Sequence, residues 1–478
     1  MTPQVVLVNP NRLQPPVAPV ALDYLADLLW AQGAEVRLLD LCWEADPHAA
    51  IARALPQLDP LLVGLTLRNT DDCYCASADY FLPGFADLVS ALRQHTSAPI
   101  VVGGSGFSIA PAPILNALGA DYAIHGDGEA PLAMLASALR DQRPIQQVPG
   151  LVWRESGELR VNPPWRGEVD TLPRRSRSLL DNPRYFDEGG QAGIETKRGC
   201  DRRCIYCADP LGKGRRIRTR TPAQVADEFE TLLSLGIDHF HLCDSEFNLP
   251  AAHAFAVCEE LVNRGLGERA RWYTYATPTG FTGELAHAMR RAGCVGINFG
   301  VDSGDDHMLA VLGRDFRSAD LSETARACRE AGLVFMFDLL LGGPGETRES
   351  AARTIALMKQ ISPHRVGVSL GVRIYPQAGL CEQVQSEGKI EHNPNLRGAV
   401  THNPDFTAPI FYLSAQLGEA PERYISQLVA GDQRFFFPTP EAGAESYNYN
   451  DNQRLVDAIK QGYRGAYWDV LRRLAEGD

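Results

Sequence analysis

The chain has 478 residues, 45% of them hydrophobic and 22% charged, with a formal net charge of −13. That length asks for two or three domains, the composition is that of a globular protein, and the acidic balance opposes any broad nucleic-acid surface. No stretch reaches the uninterrupted apolar length of a membrane span, and eleven cysteines, regularly spaced only in one triplet, argue for a reducing, cytoplasmic compartment over a disulfide framework.

The opening residues through Asn9 lack a basic leader region and read as a first strand. Strands are predicted at 4–9, 35–40, 61–67, 100–103 and 122–124, with a helix over 17–32, in the rhythm of a parallel α/β layer. Each of four strands runs into a turn rich in Gly, Pro or Asn, offering Asn9, then Leu67, Arg68 and Asn69, then Gly103, Gly104 and Ser105, then Gly126, Gly128 and Glu129. In an open parallel sheet such turns converge on one crevice, where a large cofactor can lie. His48, in Asp46-Pro-His48, reads as a solvent-side residue opening a helix. Cys42, Cys73 and Cys75 read as ordinary buried or loop thiols.

Residues 146–190, rich in Pro and Arg, read as a linker between a first domain over 1–145 and a second α/β series over 191–380. Its first strand, 192–196, is followed by Cys200, Cys204 and Cys207 on one loop. Three thiolates at this spacing can hold three irons of a cubane cluster and leave the fourth open. Zinc would need a fourth ligand from a second paired group, and none lies nearby. The basic run Arg215, Arg216, Arg218 and Arg220 is either a solvated loop or a docking patch for an acidic electron donor. Further strands are predicted at 239–243, 271–275, 296–301, 334–341 and 367–374, so that the acids and glycines at their ends gather at one mouth. From 381 to 478 aromatics concentrate beside short helices. Phe435 to Phe437 read as the core of a small capping domain, while Tyr447, Tyr449, Tyr463 and Trp468 are candidates to line a substrate pocket.

The spacing CxxxCxΦC, with Tyr206 at Φ, resembles the signature of the radical S-adenosylmethionine (SAM) superfamily. The ordered turns ahead of it, Val63-Gly-Leu-Thr66, Val101-Val-Gly-Gly104 and Asp121 to Glu129, resemble the cobalamin-binding domain fused to its class B members. The resemblance implies an α/β protein with a Rossmann-like cobalamin domain, a partial (β/α)6 TIM-like barrel and a mostly helical C-terminal domain. It implies a [4Fe-4S] cluster on the three cysteines. SAM would lie against Tyr206, Ser245, Glu246, Asp302, Ser303, Gly342, Gly343 and Arg373, and cobalamin against the four turns. Arg68 would face the corrin, where a cation donates no lone pair to cobalt, and Tyr449 and Trp468 would serve the substrate. Family members of this branch move a methyl group from SAM by way of methylcobalamin to a carbon of a small molecule. A cluster needing reduction would require an electron donor such as flavodoxin, while the charge and the apolar lengths of this chain lead to neither a nucleic-acid nor a membrane partner. An oxidative cyclase or ring-rearranging enzyme built from the same parts is the alternative, and a cobalamin sensor with a vestigial barrel is the non-enzymatic one. Methylthiotransferases are a further rival, but their three N-terminal cysteines lie on three separate loops.

Overall fold

The computed structural model describes residues 4–437 and 449–477. Tyr447 lies outside them. Strands β1 (Gln4–Asn9), β2 (Glu35–Asp40), β3 (Leu62–Thr66), β4 (Ile100–Gly103) and β5 (Tyr122–Ile124) pair in parallel, in the order β2-β1-β3-β4-β5. Both faces are covered, Val6, Val63 and Val102 on one side and Val5, Leu62 and Val101 on the other, which is why these strands read as unbroken apolar runs. The order reverses between β1 and β3, and the turns after β3 and β4 meet beside that point. The stretch expected as a linker instead supplies two antiparallel edge strands, β6 (Leu151–Glu155) and β7 (Glu158–Val161).

The second sheet is wholly parallel and in chain order: β8 (Ala192–Ile194), β9 (His239–Leu242), β10 (Arg271–Ala276), β11 (Cys294–Asp302), β12 (Val334–Leu341), β13 (Arg365–Leu370) and β14 (Phe435–Phe436). Phe435 and Phe436, expected in a separate cap, are therefore a seventh strand. Alternation sets what each face carries. Trp272, Ile297, Phe299, Phe337 and Val368 pack outward against the helices. Their neighbours Tyr273, Tyr275, Asn298, Met336 and Asp338 point the other way, into the barrel.

The helix Tyr467–Glu476 closes this interior at the N-terminal half of the strands. Trp468 is 4% exposed and stacks edge-on against Tyr273, whose hydroxyl donates to Asp469 at 2.8 Å. Trp468 is thus floor packing, not a residue on the substrate cavity.

The two domains are joined by buried ion pairs. Arg198 grips Glu129 with both terminal nitrogens at 2.6 and 2.9 Å, Arg218 pairs with Asp127, and Arg220 with Glu228, which also accepts from Tyr24. Arg218 and Arg220 are therefore neither a solvated loop nor a docking patch; they are struts, 1% and 4% exposed.

Candidate active site

The cluster loop leaves the barrel after β8 and ends at the short helix Asp209–Lys213. Gly199 starts it at φ +96°, where a Cβ would lie 2.2 Å from the Arg216 carbonyl oxygen. The loop is held by Cys200 N–H donating to Gly214 and Ile205 N–H donating to Leu312. Cys200, Cys204 and Cys207 line one cavity of about 160 Å³ with Tyr206, Glu246 and Arg314. Arg314 donates to Cys204 Sγ at 3.2 Å and to the Gly300 carbonyl at 2.5 Å. Burial raises all three thiols, Cys200 to about 11, so each holds its proton until a metal cation offsets the thiolate charge. Three soft donors around an open cavity, one of them already accepting from a cation, fit an iron–sulfur cluster with one free iron.

Opposite the thiols, a register shift between Gly300 and Asp302 ends β11 and turns Asp302 inward at φ +64°. Asp302 accepts from the Tyr206 hydroxyl at 2.6 Å, and Arg314 lies 3.5 Å from it and 3.7 Å from Glu246. Burial pushes the Glu246 carboxyl up to about 7, with Arg314 and Arg202 opposing. Ser245 donates to Asp209 beside the same cavity. Acids, hydroxyls and the guanidiniums of Arg202 and Arg314 thus surround a space that fits the amino, carboxylate and ribose groups of SAM.

Four residues expected on this side, Ser303, Gly342, Gly343 and Arg373, do not line this cavity. Ser303 is 0% exposed and spends its hydroxyl on Thr354 and Asp305. Gly342 turns its open face to Leu413 and Gly343 to Leu312, so both admit protein and not adenine. Arg373 is buried across the domain boundary, paired with Asp71 at 3.0 Å and saturated by the carbonyls of Phe406 and Thr407.

Gly342 also introduces a buried acid. Glu346, 0% exposed, accepts from Gly342 N–H at 3.1 Å and from Ser350 at 2.9 Å, yet burial pushes it from its ordinary 4.5 up to about 7. Its contribution to stability is fully present below 4.5 and lost as pH rises through about 7. Glu346→Gln is expected to flatten the pH dependence of urea unfolding and to gain roughly 2–3 kcal/mol over the parent near pH 8. Parallel curves for the two proteins would remove burial of this acid as the cause.

On the first domain, Arg68 is exposed among the turns, its carbonyl accepting from Ser105 at 2.9 Å, and it makes no ion pair among the described residues. Gly104 at φ +110° would place a Cβ 2.4 Å from the Leu67 carbonyl. Glycine is needed there for one turn to touch the next. Across from Arg68 stand His241, Cys243, Tyr275 and Tyr467, all within reach of its charge. Tyr275 keeps 43% of its surface accessible although burial raises its phenol to about 12, which marks an internal cleft. The cleft between the two sheets, rimmed by Arg68, Asn69, Gly103, Gly104 and Ser105, fits a large flat cofactor. Leu67 is 0% exposed and contributes only backbone.

Asn9, Gly126, Gly128 and Glu129 do not join them. Asn9 is 1% exposed and bonded to Asp40 and Tyr185, Gly126 is backed by Pro164 and Arg166, Gly128 caps the helix Glu129–Arg140, and Glu129 is the partner of Arg198. His48 does open a helix, exposed and 2.8 Å from Asp87.

A second cavity, about 360 Å³, opens beside the first and is lined by Cys73, Tyr74, Tyr275, Asn298, Asp338 and Tyr449 among others. Cys73, expected as a plain loop thiol, thus faces the cavity, 2.9 Å from the Tyr375 hydroxyl. Sequence reasoning missed Arg314, Tyr275, Asn298 and Asp338. The signal for the last two was a polar residue at alternate positions inside the apolar strands Ile297-Asn-Phe299 and Phe337-Asp-Leu339.

The family model of the radical SAM superfamily matches residues 194–358, and that of the B12 binding domain matches residues 11–136. The chain is 31% identical to tryptophan 2-C-methyltransferase of Streptomyces laurentii, over 97% of this chain and 95% of that protein. It is 26% identical to an uncharacterized methyltransferase of Pyrococcus horikoshii, over 72% and 73%. The solved radical SAM methyltransferase TsrM of Kitasatospora setae, with tryptophan and a SAM analogue bound, superposes at a TM-score of 0.90 with 29% identity and full coverage of both chains. A second structure of that protein, with cobalamin and a [4Fe-4S] cluster bound, also gives 0.90 over 100% of this chain and 98% of that one.

Proposed function

Because this chain belongs to the cobalamin-dependent radical SAM C-methyltransferases, we propose that the small molecule it methylates is tryptophan or a close indole relative, held in the cavity between Tyr74, Tyr275 and Tyr449. The observation that carries this reading is that cavity's place: it shares Tyr275 with the cysteine cavity, is lined by Asp302, which accepts from Tyr206 of that cavity, and Tyr275 lies within reach of the charge of Arg68. When bound, the cluster supplies reducing electrons, SAM the methyl group, and cobalamin its carriage to carbon.

The chain's residues do the positioning. Cys200, Cys204 and Cys207 would hold the cluster, with Arg314 donating to one sulfur. Tyr206, Ser245, Glu246 and Asp302 would hold SAM. Arg68, a cation without a lone pair, would stand beside the bound cobalamin and offer it charge but no ligand atom. Tyr275 and Tyr449 would flank a flat ring and keep water from it. Glu129, Asn9, Ser303 and Arg373 brace the frame through their protein partners. The electron donor is proposed to be a flavodoxin-like protein. Of the basic run only Arg215 and Arg216 stay exposed to meet it. A cytoplasmic site without nucleic-acid or membrane partners accords with the acidic net charge and eleven free thiols. No helix among the described residues is long and apolar enough to cross a membrane.

The test is anaerobic: cluster reconstituted, hydroxocobalamin loaded, then reductant, tryptophan and SAM labelled in its methyl group. Labelled 2-methyltryptophan, S-adenosylhomocysteine and a methylated corrin are expected. 5′-Deoxyadenosine with a corrin that never gains a methyl group would shift the reading to the cyclase alternative, and no bound corrin would overturn the account of the cleft. Arg68→His, which offers a lone pair, is expected to move the visible spectrum of the bound corrin toward the imidazole-ligated form. Turnover should fall about 10-fold or more, the scale on which metal-site partners act.

A further inference from the structure

Deep in the second cavity a pair of side chains remains unused by this account. Asn298 on β11 and Asp338 on β12 point into the barrel, and the Asn298 side-chain N–H donates to Asp338 Oδ2 at 2.6 Å. That bond settles the orientation of the amide, since the opposite one would set oxygen against a carboxylate. Asn298 Oδ1 therefore faces away from Asp338. It is buried, in a residue 4% exposed, and has no hydrogen-bond partner among the described residues. Buried acceptors are nearly always satisfied, and an orphan on the wall of a cavity points to a donor that arrives with a ligand.

The surroundings give the sign of that donor. The cavity is lined by the carboxylates of Asp72, Asp302 and Asp338, and among the described residues no Lys, Arg or His lines it. Tyr74 and Tyr275 line the same cavity, and the charge of Asp338 reaches both phenols. A carboxylate, an acceptor amide and aromatic side chains on one cavity wall together form a receptor for an alkylammonium group.

We infer that Asn298 and Asp338 form an anchor for the protonated primary amine of the substrate, so that this enzyme takes an aminoalkyl-bearing aromatic compound and rejects its deaminated counterpart. The inference rests on the second cavity being the substrate pocket. It adds that selection is made on the side chain's nitrogen, with no cation in the cavity to select a carboxylate. Tryptamine, lacking the carboxylate, should therefore bind about as well as tryptophan.

The test is calorimetric binding to the reconstituted holoenzyme of tryptophan, tryptamine, indole-3-propionate and phenethylamine, in the parent and in Asp338→Asn. Tryptophan and tryptamine should bind, with indole-3-propionate weaker by about 10- to 100-fold, the range set by a charged hydrogen bond. Asp338→Asn should erase that difference by weakening the amines alone. Indole-3-propionate binding as tightly as tryptamine, no amine binding at all, or amine affinities unmoved by Asp338→Asn would each overturn the anchor. Phenethylamine binding in an Asp338-dependent way, with tryptamine not binding, would uphold the anchor and overturn the indole substrate instead. The comparison of ligands on the parent protein stands even if the variant does not fold.

Discussion

Cys204→Ala is expected to leave a folded protein that binds cobalamin but holds no complete cluster and methylates nothing. The thiol is protonated when no metal is bound, because burial raises it, so its loss removes neither a charge nor a strut and should change stability by no more than about 1 kcal/mol. Arg314 would lose one acceptor and keep Gly300 and Asp302. What disappears is the third of three iron ligands, and a cubane with two protein thiolates does not persist. The measurement is iron content and the absorption of the reconstituted variant, beside labelled-methyl transfer and a cobalamin titration. Transfer surviving in Cys204→Ala would break the assignment of the cavity. Loss of cobalamin binding along with it would show that the loop also shapes the cleft.

Arg198→Met is expected to destabilise the protein by about 3–5 kcal/mol, as breaking one side of a buried ion pair does. Glu129 is 4% exposed. Burial alone would raise its carboxyl, and the Arg198 guanidinium overrides that and holds it at about 2. The stability this depression contributes is present above the ordinary value of 4.5 and lost as pH falls toward about 2. In Arg198→Met only Arg175, 3.6 Å away, remains, and burial then dominates. The variant should be hurt most near neutrality and least in mild acid, the reverse of the parent's slope. Adding Glu129→Leu should recover part of the loss, since the buried carboxylate is then gone, while Arg175 loses its partner at 3.6 Å and Glu195 the one at 2.8 Å. The readout is denaturant unfolding of both singles and the double. Additive costs would show that the two residues do not work as a pair.

The strands and the cluster loop were legible in the sequence for different reasons. Apolar runs between Gly, Pro and Asn turns betray a parallel sheet, and three cysteines at fixed spacing betray a metal loop, because in each the requirement lies within a few residues. Where the requirement spans the chain, the reading failed. Asn9, Glu129 and Arg373 each end or follow a strand, where ligand contacts are expected, but their partners are Tyr185, Arg198 and Asp71. Arg314 follows a short helix with no motif around it. It serves the site only because Gly313, whose Cβ would lie 2.4 Å from the Arg203 carbonyl, lets that turn press on the cluster loop. Trp468 and Tyr449 are close in sequence and alike in chemistry, yet one fills a floor and the other lines a cavity. Aromatic content alone does not separate the two.

The floor has a consequence for the order in which the molecule becomes competent. Tyr273 and Asp469, which seal it, are 196 residues apart. The barrel strands pair with sequence neighbours and can form early, whereas the wall under the substrate waits for a helix that closes a very long loop. The last contact made in folding is also among the first lost on warming. Heating should therefore empty the substrate chamber from below while the sheet, and the iron-binding loop at its opposite rim, are still intact, so that catalytic life ends before the protein has melted.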